Sequence, residues 1–321
     1  MTRDRSGDVI VVGSGVIGLT TAVVLAESGR RVRVWTREPA EGTTSAVAGA
    51  LWWPYSVEPL ELARAWALES LSVYEELAAR PDETGVRMVE GVLGGSRLDE
   101  QGPWAAARLP GLRASTPEEY AGTGLWARLP LIDMPVQLGW LRERFLRAGG
   151  AVEVRAVTDL AEAEAEAPVV VNCTGLGARE LVPDAAVRPV RGQLVIVENP
   201  GVRSWLVSTD AVAGTTTYLF PQPDRLVLGG TTEEGEWSLT PDPAVAARIV
   251  ERCAGFWPAV ARARVLEHRV GLRPVRSAVR LEREVRGGGG GGVLVHNYGH
   301  GGAGVTVAWG CARVAAGLAF G

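Results

Sequence analysis

Lysine is missing from this 321-residue chain: all 33 of its basic residues are arginine. We read that as the imprint of GC-rich coding, so the positive charges are not in themselves evidence of phosphate binding. The net charge is −4 and no basic run or basic amphipathic helix occurs, which argues against nucleic acid as a partner. Cysteine is scarce. Cys173, Cys253 and Cys311 are odd in number and far apart, so they form no disulfide framework and no metal spacing, and they point to a reducing compartment. Histidine is equally scarce, three in all. No stretch approaches the ~18 uninterrupted apolar residues of a membrane-spanning helix. The opening "MTRDRSGDVIVVG" lacks the apolar run and cleavage site of a signal peptide, and the final "AAGLAFG" has no peroxisomal or retention signal. The expectation is a cytoplasmic protein.

What is present is an ordinary globular composition, 46% hydrophobic and 22% charged, at a length that suits two structural units. Asp8–Val12 is a short β-branched run, the pattern of a strand buried on both faces. It leads into "GSGVIG", with Gly13, Gly15 and Gly18 in GxGxxG spacing, then into "LTTAVVLAESG", a helix stopped by Gly29. A second strand, Arg31–Trp35, follows. Glu38 lies twenty residues beyond Gly18, where a dinucleotide fold places an acid for a ribose hydroxyl. Gly13 permits the tight turn, Gly15 lets backbone approach a pyrophosphate, and Gly18 lets helix and strand pack closely. The helix N-terminus offers N–H groups and a positive dipole end to the anion. Such glycines alone mark only a tight turn; with strand, helix, second strand and acid in register they point to a dinucleotide site. Arg37 beside Glu38 leaves a 2′-phosphate, and so NADP, open against a plain surface arginine.

The alternation expected of an NAD-type domain then breaks. "TTSAVAGALWWPY", Thr43 to Tyr55, is a small-residue loop followed by two tryptophans, and small residues let backbone lie against a flat ring system. The alternative is a buried linker; Trp52 reads as core, and Trp53 is open. Residues 58–81 carry apolar positions at helical spacing and close on Pro81, one long amphipathic helix. Residues 85–132 are turn-rich, a β-rich insertion, and residues 136–150 are a helix ended by glycines. Val157 falls in a short strand placed to flank an adenosine, and Val169–Asn172 is a buried strand running into a glycine turn.

From Arg188 onward, β-like runs at Leu194–Val197, Thr216–Phe220 and Arg225–Leu228 alternate with turns and predict a large antiparallel sheet. One helix over Pro243–Cys253 interrupts it, and Arg273 and Arg276 lie on an alternating segment beyond. Gly287–Gly292, six glycines in a row, reads as a flexible hairpin loop. "HNYGHGGAGVTVAWG" is a second strand–glycine loop–helix unit. Its helix N-terminus suits an electron-rich part of a cofactor, in a flavin the N1/C2-carbonyl edge that becomes anionic on reduction. His296 and His300 lie on strand and loop with no carboxylate or cysteine expected beside them, so no metal is expected. Their plain role is hydrogen bonding to the loop backbone.

Together, "VVGSGVIGL", "TTSAVAGALWWPY", "VVNCTGLGA", "RPVRGQ", "GLRPVRSAVRLERE" and "HNYGHGGAGVTVAWG" resemble the successive motifs of the D-amino-acid oxidase family, in that family's order across nearly the whole chain. The last is highly specific; the first occurs in many unrelated enzymes. The lysine-free composition suggests an actinobacterial-type member. The resemblance implies an α/β fold: a discontinuous Rossmann-type domain over 1–54, 133–188 and 266–321 that holds FAD non-covalently, plus an α+β substrate-binding domain over 55–132 and 189–265 with a large mixed or antiparallel sheet. It implies oxidative deamination of neutral D-amino acids. Hydride passes from the α-carbon to flavin N5, dioxygen reoxidises the flavin to give hydrogen peroxide, and the imino acid hydrolyses to a 2-oxo acid and ammonia. The cofactor carries that chemistry, so no acid–base residue is required.

By the same resemblance Arg273 holds the substrate carboxylate through two parallel hydrogen bonds, Tyr218 also contacts it, and the Gly302 carbonyl receives the amine. Trp53 and Tyr55 are the further substrate contacts. Cofactor contacts fall on Gly13, Gly15, Val16, Ile17 and Gly18, on Thr36, Arg37 and Glu38, and on Thr43, Thr44, Ser45, Gly49, Ala50 and Leu51 of the small-residue loop. They continue on Val157, Cys173, Thr174 and Gly175, and on Arg273, Gly299, Gly301, Gly302, Gly304, Val305 and Thr306 around the C-terminal glycine loop. Arg276 and Arg280 read instead as surface ion pairs to Glu282 or Glu284, and a cross-strand aromatic is the plain alternative for Tyr218. Two departures matter. Gly214 stands where the mammalian pattern has a second tyrosine, so the lid reads as shorter, and Trp53 stands in place of a glutamine, where an indole shapes the side-chain pocket. The rivals are a D-aspartate oxidase, which needs a further cation such as Arg203 or Arg225, a glycine- or sarcosine-type amine oxidase, and a non-catalytic flavin-binding redox protein. The expected partners are D-amino acids and dioxygen, without nucleic acid or membrane, and a homodimer stays open.

Overall fold

The computed structural model describes residues 8–54, 57–109, 111–210, 215–285 and 292–321. Its strands are β1 (Asp8–Val12), β2 (Arg31–Thr36), β3 (Val86–Gly94), β4 (Arg113–Ala114), β5 (Gly124–Ile132), β6 (Ala151–Val154) and β7 (Val169–Asn172). There follow β8 (Arg188–Val197), β9 (Trp205–Asp210), β10 (Thr215–Pro221), β11 (Leu226–Gly229), β12 (Glu233–Glu234), β13 (Val265–Val285) and β14 (Val293–His300). Among the described residues these form one sheet in the order β4-β5-β3-β9-β10-β11-β8-β13-β14-β7-β1-β2-β6, with β12 paired to β8. The longer helices are α1 (Val16–Glu27), α2 (Leu60–Leu77), α3 (Met134–Arg147), α4 (Pro243–Phe256) and α5 (Gly304–Phe320). None of the described helices is long and apolar enough to cross a membrane.

The sheet changes character along its length. From β14 to β6 the strands are parallel. β7 is buried throughout and β1 from Val9 onward, which is why both read as continuous apolar runs rather than alternation. From β9 to β14 neighbours are antiparallel. β13 joins the two parts: its first half pairs with β8 and its second with β14. β13 and β14 meet at Val285 and Val293, and the glycines at 287–291 lie outside the described residues.

Packing fixes where α5 begins. The Tyr74 hydroxyl on α2 donates to the Val305 carbonyl at 2.8 Å, and Ser70 Oγ accepts from the Trp309 and Gly310 amides at 3.1 Å each. Gly310 lies so close to Trp66 that a Cβ would come within 2.5 Å of the Trp66 carbonyl oxygen. Trp52 is fully buried, as expected, and its indole N–H donates to Ala67 O at 3.2 Å. On the other side of the sheet α4 covers β8, β10 and β11 with Ile249 and Cys253 against Val195, Leu219 and Leu228.

Three local expectations need correction. α2 ends at Leu77, and Pro81 opens a one-turn helix, Pro81–Thr84, instead of closing the long one; proline suits a first helical position because its missing N–H has no partner to lose. The small-residue loop contains a one-turn helix of its own, Thr44–Val47. Val157 is not in a strand. After β6 the Arg155 amide donates to Thr36 O at 2.7 Å, and the Thr158 amide and hydroxyl then turn to the Glu162 carboxylate at 2.9 and 3.0 Å, which draws the chain towards a helical turn. Val157 packs, half-buried, on the cluster that holds Val12 and Trp35.

Candidate active site

The turn after β1 is made by glycines for which no other residue leaves room. Gly13 has φ +112°, and a Cβ there would lie 2.5 Å from Cys173 O. A Cβ on Gly18 would overlap the Gly13 carbonyl. Thr36 is buried and braces the turn: its hydroxyl is 2.8 Å from Ser14 Oγ and donates to Glu38 O at 2.7 Å. Glu38 is left half-buried beside exposed Arg37, 3.5 Å apart, a pairing that contributes little in water. Gly15 caps α1 without a side-chain bond, and no acidic residue occupies the first turn. The Val16 amide donates to Ser45 Oγ at 3.0 Å, and a Cβ on Gly15 would meet that oxygen at 3.0 Å and Thr43 Oγ1 at 4.0 Å. The glycine motif and the small-residue loop, far apart in sequence, therefore share one groove.

The same loop reaches both other parts of the site. Thr44 Oγ1 donates to Leu272 O on β13 at 3.2 Å. Ala50, at φ +58°, accepts from the Ile132 amide at 3.0 Å, and the Trp52 amide donates to Pro130 O at 2.9 Å, with Leu51 bridged to Leu131. A Cβ on Gly49 would press into the Phe220 ring at 2.8 Å and reach Tyr218 at 3.3 Å. The C-terminal unit closes the groove. Gly304 opens α5 with no side-chain cap and no acidic residue in its first turn, and a Cβ there would lie 3.9 Å from Val16 on α1. Two helix N-termini therefore lie side by side, neither with an acidic residue in its first turn to offset the positive end. Gly301, at φ +54°, donates its amide to Pro274 O at 3.0 Å, while Gly175 and Gly299 have φ of +57° and +86°. Thr174 bonds the Asn172 carboxamide through its amide and hydroxyl at 3.2 and 2.7 Å, and burial pushes the Cys173 thiol up to about 12.

Arg273, on β13, brings the candidate substrate contacts together. Its Nη1 donates to Thr231 O at 3.1 Å and Arg191 O at 3.4 Å. The Tyr218 hydroxyl lies near enough to feel its charge; burial pushes that hydroxyl's pKa up, and the Arg273 charge partly offsets the rise. A Cβ on Gly302 would lie 3.7 Å from Arg273 Cδ. Tyr218 is half-buried, stacked on Phe220 with ring centroids 4.5 Å apart, and pairs across the strands with Gly229, where a Cβ would collide with its ring. No Asp or Glu among the described residues forms an ion pair with Arg273, whereas its neighbours are paired: Arg276 with Asp184 at 2.9 Å and Arg280 with Glu282 at 2.6 Å. A half-buried guanidinium without a carboxylate has the charge and the planar fork that a carboxylate ligand needs.

Arg276 thus departs from the expectation of a Glu282 or Glu284 partner. His296 departs from its expectation too. His296 Nε2 lies 3.2 Å from Glu284 and Nδ1 lies 3.5 Å from the Asn172 carboxamide, so a carboxylate does stand beside it and its partners are side chains rather than loop backbone. His300 is buried with no partner for Nε2 among the described residues, and burial pushes its pKa down to about 3, which keeps it neutral. Trp53 and Thr306 hold each other: the Trp53 amide donates to Thr306 Oγ1 at 3.4 Å, and that hydroxyl donates to Trp53 O at 3.1 Å. The Trp53 ring lies 6.1 Å from Trp104 at a tilt of 52°. Tyr55 and Gly214 lie outside the described residues. Arg225 bonds Asp133 and Asp224 at 2.7 Å each, and Arg203 is exposed. Sequence reasoning missed Thr231, Gly229 and Gly230; the signal was a Gly-Gly pair set directly opposite a tyrosine in a two-strand hairpin.

A family model described as FAD dependent oxidoreductase matches residues 8–318, and the chain belongs to that family. The D-amino-acid oxidase of Streptomyces coelicolor is 73% identical over 316 residues, covering 98% of each chain. That of Rubrobacter xylanophilus is 48% identical over 313 residues, 97% of this chain and 95% of its own. The crystal structure of glycine oxidase from Geobacillus kaustophilus aligns with a TM-score of 0.81 at 19% identity, over 97% of this chain and 94% of that one, so the fold is shared. The residues present fit FAD on their own chemistry. A groove floored by Gly13, Gly15 and Gly18 suits a pyrophosphate, two helix N-termini with no acidic residue in the first turn suit its anionic parts, and Glu38 just beyond β2 suits a ribose.

Proposed function

We propose that this flavoenzyme is a D-amino-acid oxidase acting on neutral side chains. The observation that carries the reading is the convergence of Arg273, Tyr218 and Gly302, with a guanidinium that no carboxylate of the described residues neutralises. Bound FAD supplies the hydride acceptor, and dioxygen is the terminal oxidant. The chain's own residues bind and orient. Arg273 grips the substrate carboxylate through paired hydrogen bonds, the Tyr218 hydroxyl adds a third, and the Gly302 carbonyl accepts from the amine, so the α-carbon is presented in one orientation only. The uncapped N-terminus of α5 favours the anionic reduced cofactor. Glu38, Val157 and the Thr43–Leu51 loop hold the remainder of FAD, and Trp53, braced by Thr306, shapes the side-chain pocket.

The parallel part of the sheet, with residues 1–54, 133–188 and 266–321, forms the cofactor domain in this reading, and residues 55–132 and 189–265 form the substrate domain. The enzyme works in the cytoplasm. A D-aspartate oxidase needs a second cation in the pocket, and Arg225, one of its two candidates, is already paired with Asp133 and Asp224. The test is steady-state peroxide and 2-oxo acid release from D-alanine, D-methionine, D-aspartate and their L-enantiomers. Turnover of the neutral D-forms alone supports the reading. Turnover mainly of D-aspartate transfers it to the rival, and turnover of the L-forms or of none overturns both.

A further inference from the structure

The motif "RPVRGQ" contributes one carbonyl to the site described above, yet it carries an arginine that is only 3% exposed. Arg191 stands on β8 opposite Leu272, the residue before Arg273. Burying a guanidinium is costly unless its donors are satisfied, and here they are. Nε donates to Ser238 O at 2.9 Å, Nη1 to both Glu233 oxygens at 2.8 and 3.0 Å, and Nη2 to Thr240 O at 2.7 Å and Gln193 Oε1 at 3.1 Å. Three of these partners belong to residues 231–242, a largely exposed strap whose only strand pairing among the described residues is the two-residue β12. Gln193 holds both ends of the same strap: its amide donates to Thr231 Oγ1 at 2.9 Å, and its side chain exchanges bonds with the Asp242 carbonyl and amide at 2.8 and 2.9 Å.

The strap begins at Thr231, whose carbonyl is the nearer anchor of Arg273 Nη1, and the second anchor is the carbonyl of Arg191 itself. Gly192 lies between, where any side chain would run into the Arg273 guanidinium. We propose that Arg191, with Glu233, is a positioning residue: by pinning the strap it fixes the Thr231 carbonyl and hence the plane in which Arg273 presents its fork. Each residue of the Arg191-Gly192-Gln193 tripeptide then has a stated role, two in holding the strap and one in leaving room for the clamp. The inference rests on Arg273 being the carboxylate clamp.

The experiment compares Glu233→Gln and Arg191→Lys with Arg273→Ala, all as FAD-loaded enzyme. Glu233 is the partly exposed partner, so its variant keeps the fold even if the buried arginine proves intolerant. For D-alanine, Glu233→Gln should raise KM about tenfold, the scale of one lost hydrogen bond to a charged group, with kcat within about twofold and FAD content unchanged. The inhibition constant of propionate, which has the carboxylate but no amine, should rise by the same factor, and Glu233→Asp should restore part of it. Arg191→Lys should do at least as much, since one ammonium cannot serve Glu233, Ser238 and Thr240 at once. A lower melting temperature with unchanged KM and propionate binding means a merely structural role and overturns the proposal. A raised KM in Arg273→Ala alone overturns the positioning role and keeps the clamp. No change in Arg273→Ala overturns the clamp and the proposal together.

Discussion

The two parts of the sheet build their shares of the site from opposite materials. In the parallel part the proposed cofactor groups are mainly backbone, and Gly13, Gly15 and Gly18 are defined by what a Cβ would hit. In the antiparallel part the proposed substrate groups are the side chains of Arg273 and Tyr218, and backbone carbonyls and glycines serve to hold or admit them. A phosphate anion can be met by peptide dipoles wherever a helix begins, whereas a carboxylate recognised by direction needs a planar fork held in one plane. Damage to the first part should therefore appear as lost cofactor and stability, and damage to the second as lost substrate affinity in a well-folded flavoprotein.

The largest separation should come from Arg273→Ala, which removes one partner of a charged pair. KM for D-alanine should rise by the equivalent of about 2–5 kcal/mol while FAD stays bound; an unchanged KM places the carboxylate elsewhere. Gly18→Ala should do the reverse. Overpacking against the Gly13 carbonyl should cost about 1–3 kcal/mol, read by urea unfolding together with FAD content, and wild-type values for both would show that the close packing there is not needed. The pH dependence of stability sharpens the picture of the C-terminal loop. Burial holds His300 at about 3 in the folded chain against 6.5 as a free side chain. Between those values the unfolded chain carries a proton that the folded chain does not. Its contribution is complete above pH 6.5 and is lost as pH falls through that window, by up to about 1.4 kcal/mol per pH unit. His300→Gln should flatten the fall between pH 6.5 and 4.5, and an equally steep fall would mean that the imidazole is protonated in the folded state.

Tyr218→Phe should act more mildly, by about 0.5–1.5 kcal/mol in kcat/KM for one hydrogen bond. Complete loss of activity would give the hydroxyl a chemical step rather than a binding one. The smallest expected change is in preference: Trp53→Ala should shift relative kcat/KM towards bulkier D-amino acids, and an unchanged profile across a size series would remove Trp53 from the pocket wall.

How much of this was legible in the sequence depends on the range of each interaction. The cradle after β1 was legible because its glycine spacing states it, although the Cys173 carbonyl that leaves no room at Gly13 comes from a distant strand end. The break in alternation at Thr43 was legible too, although only the fold brings Ser45 under Val16. The meeting of Arg273, Tyr218 and Gly302 came from resemblance, since nothing local ties them together. The Arg276–Asp184 pair spans 92 positions and had no local signal. The His296–Glu284 contact had one, because β13 and β14 flank the glycine run and their register sets Glu282 opposite His296. Val157 misled because its apolar neighbours suit a strand, while the pull of Glu162 on Thr158 ends the pairing early. The strap and Arg191 were beyond reach, since two of the arginine's four partners are backbone carbonyls whose directions no sequence pattern reveals, and Glu233 lies 42 positions away.

The most direct measurement mixes the FAD-loaded enzyme with D-alanine, and separately with L-alanine, in the absence of oxygen and follows the visible absorption of the flavin. The account predicts bleaching by D-alanine alone, with colour and hydrogen peroxide returning together when air is admitted. A flavin that stays oxidised with D-alanine, or bleaches with the L-enantiomer, would contradict it.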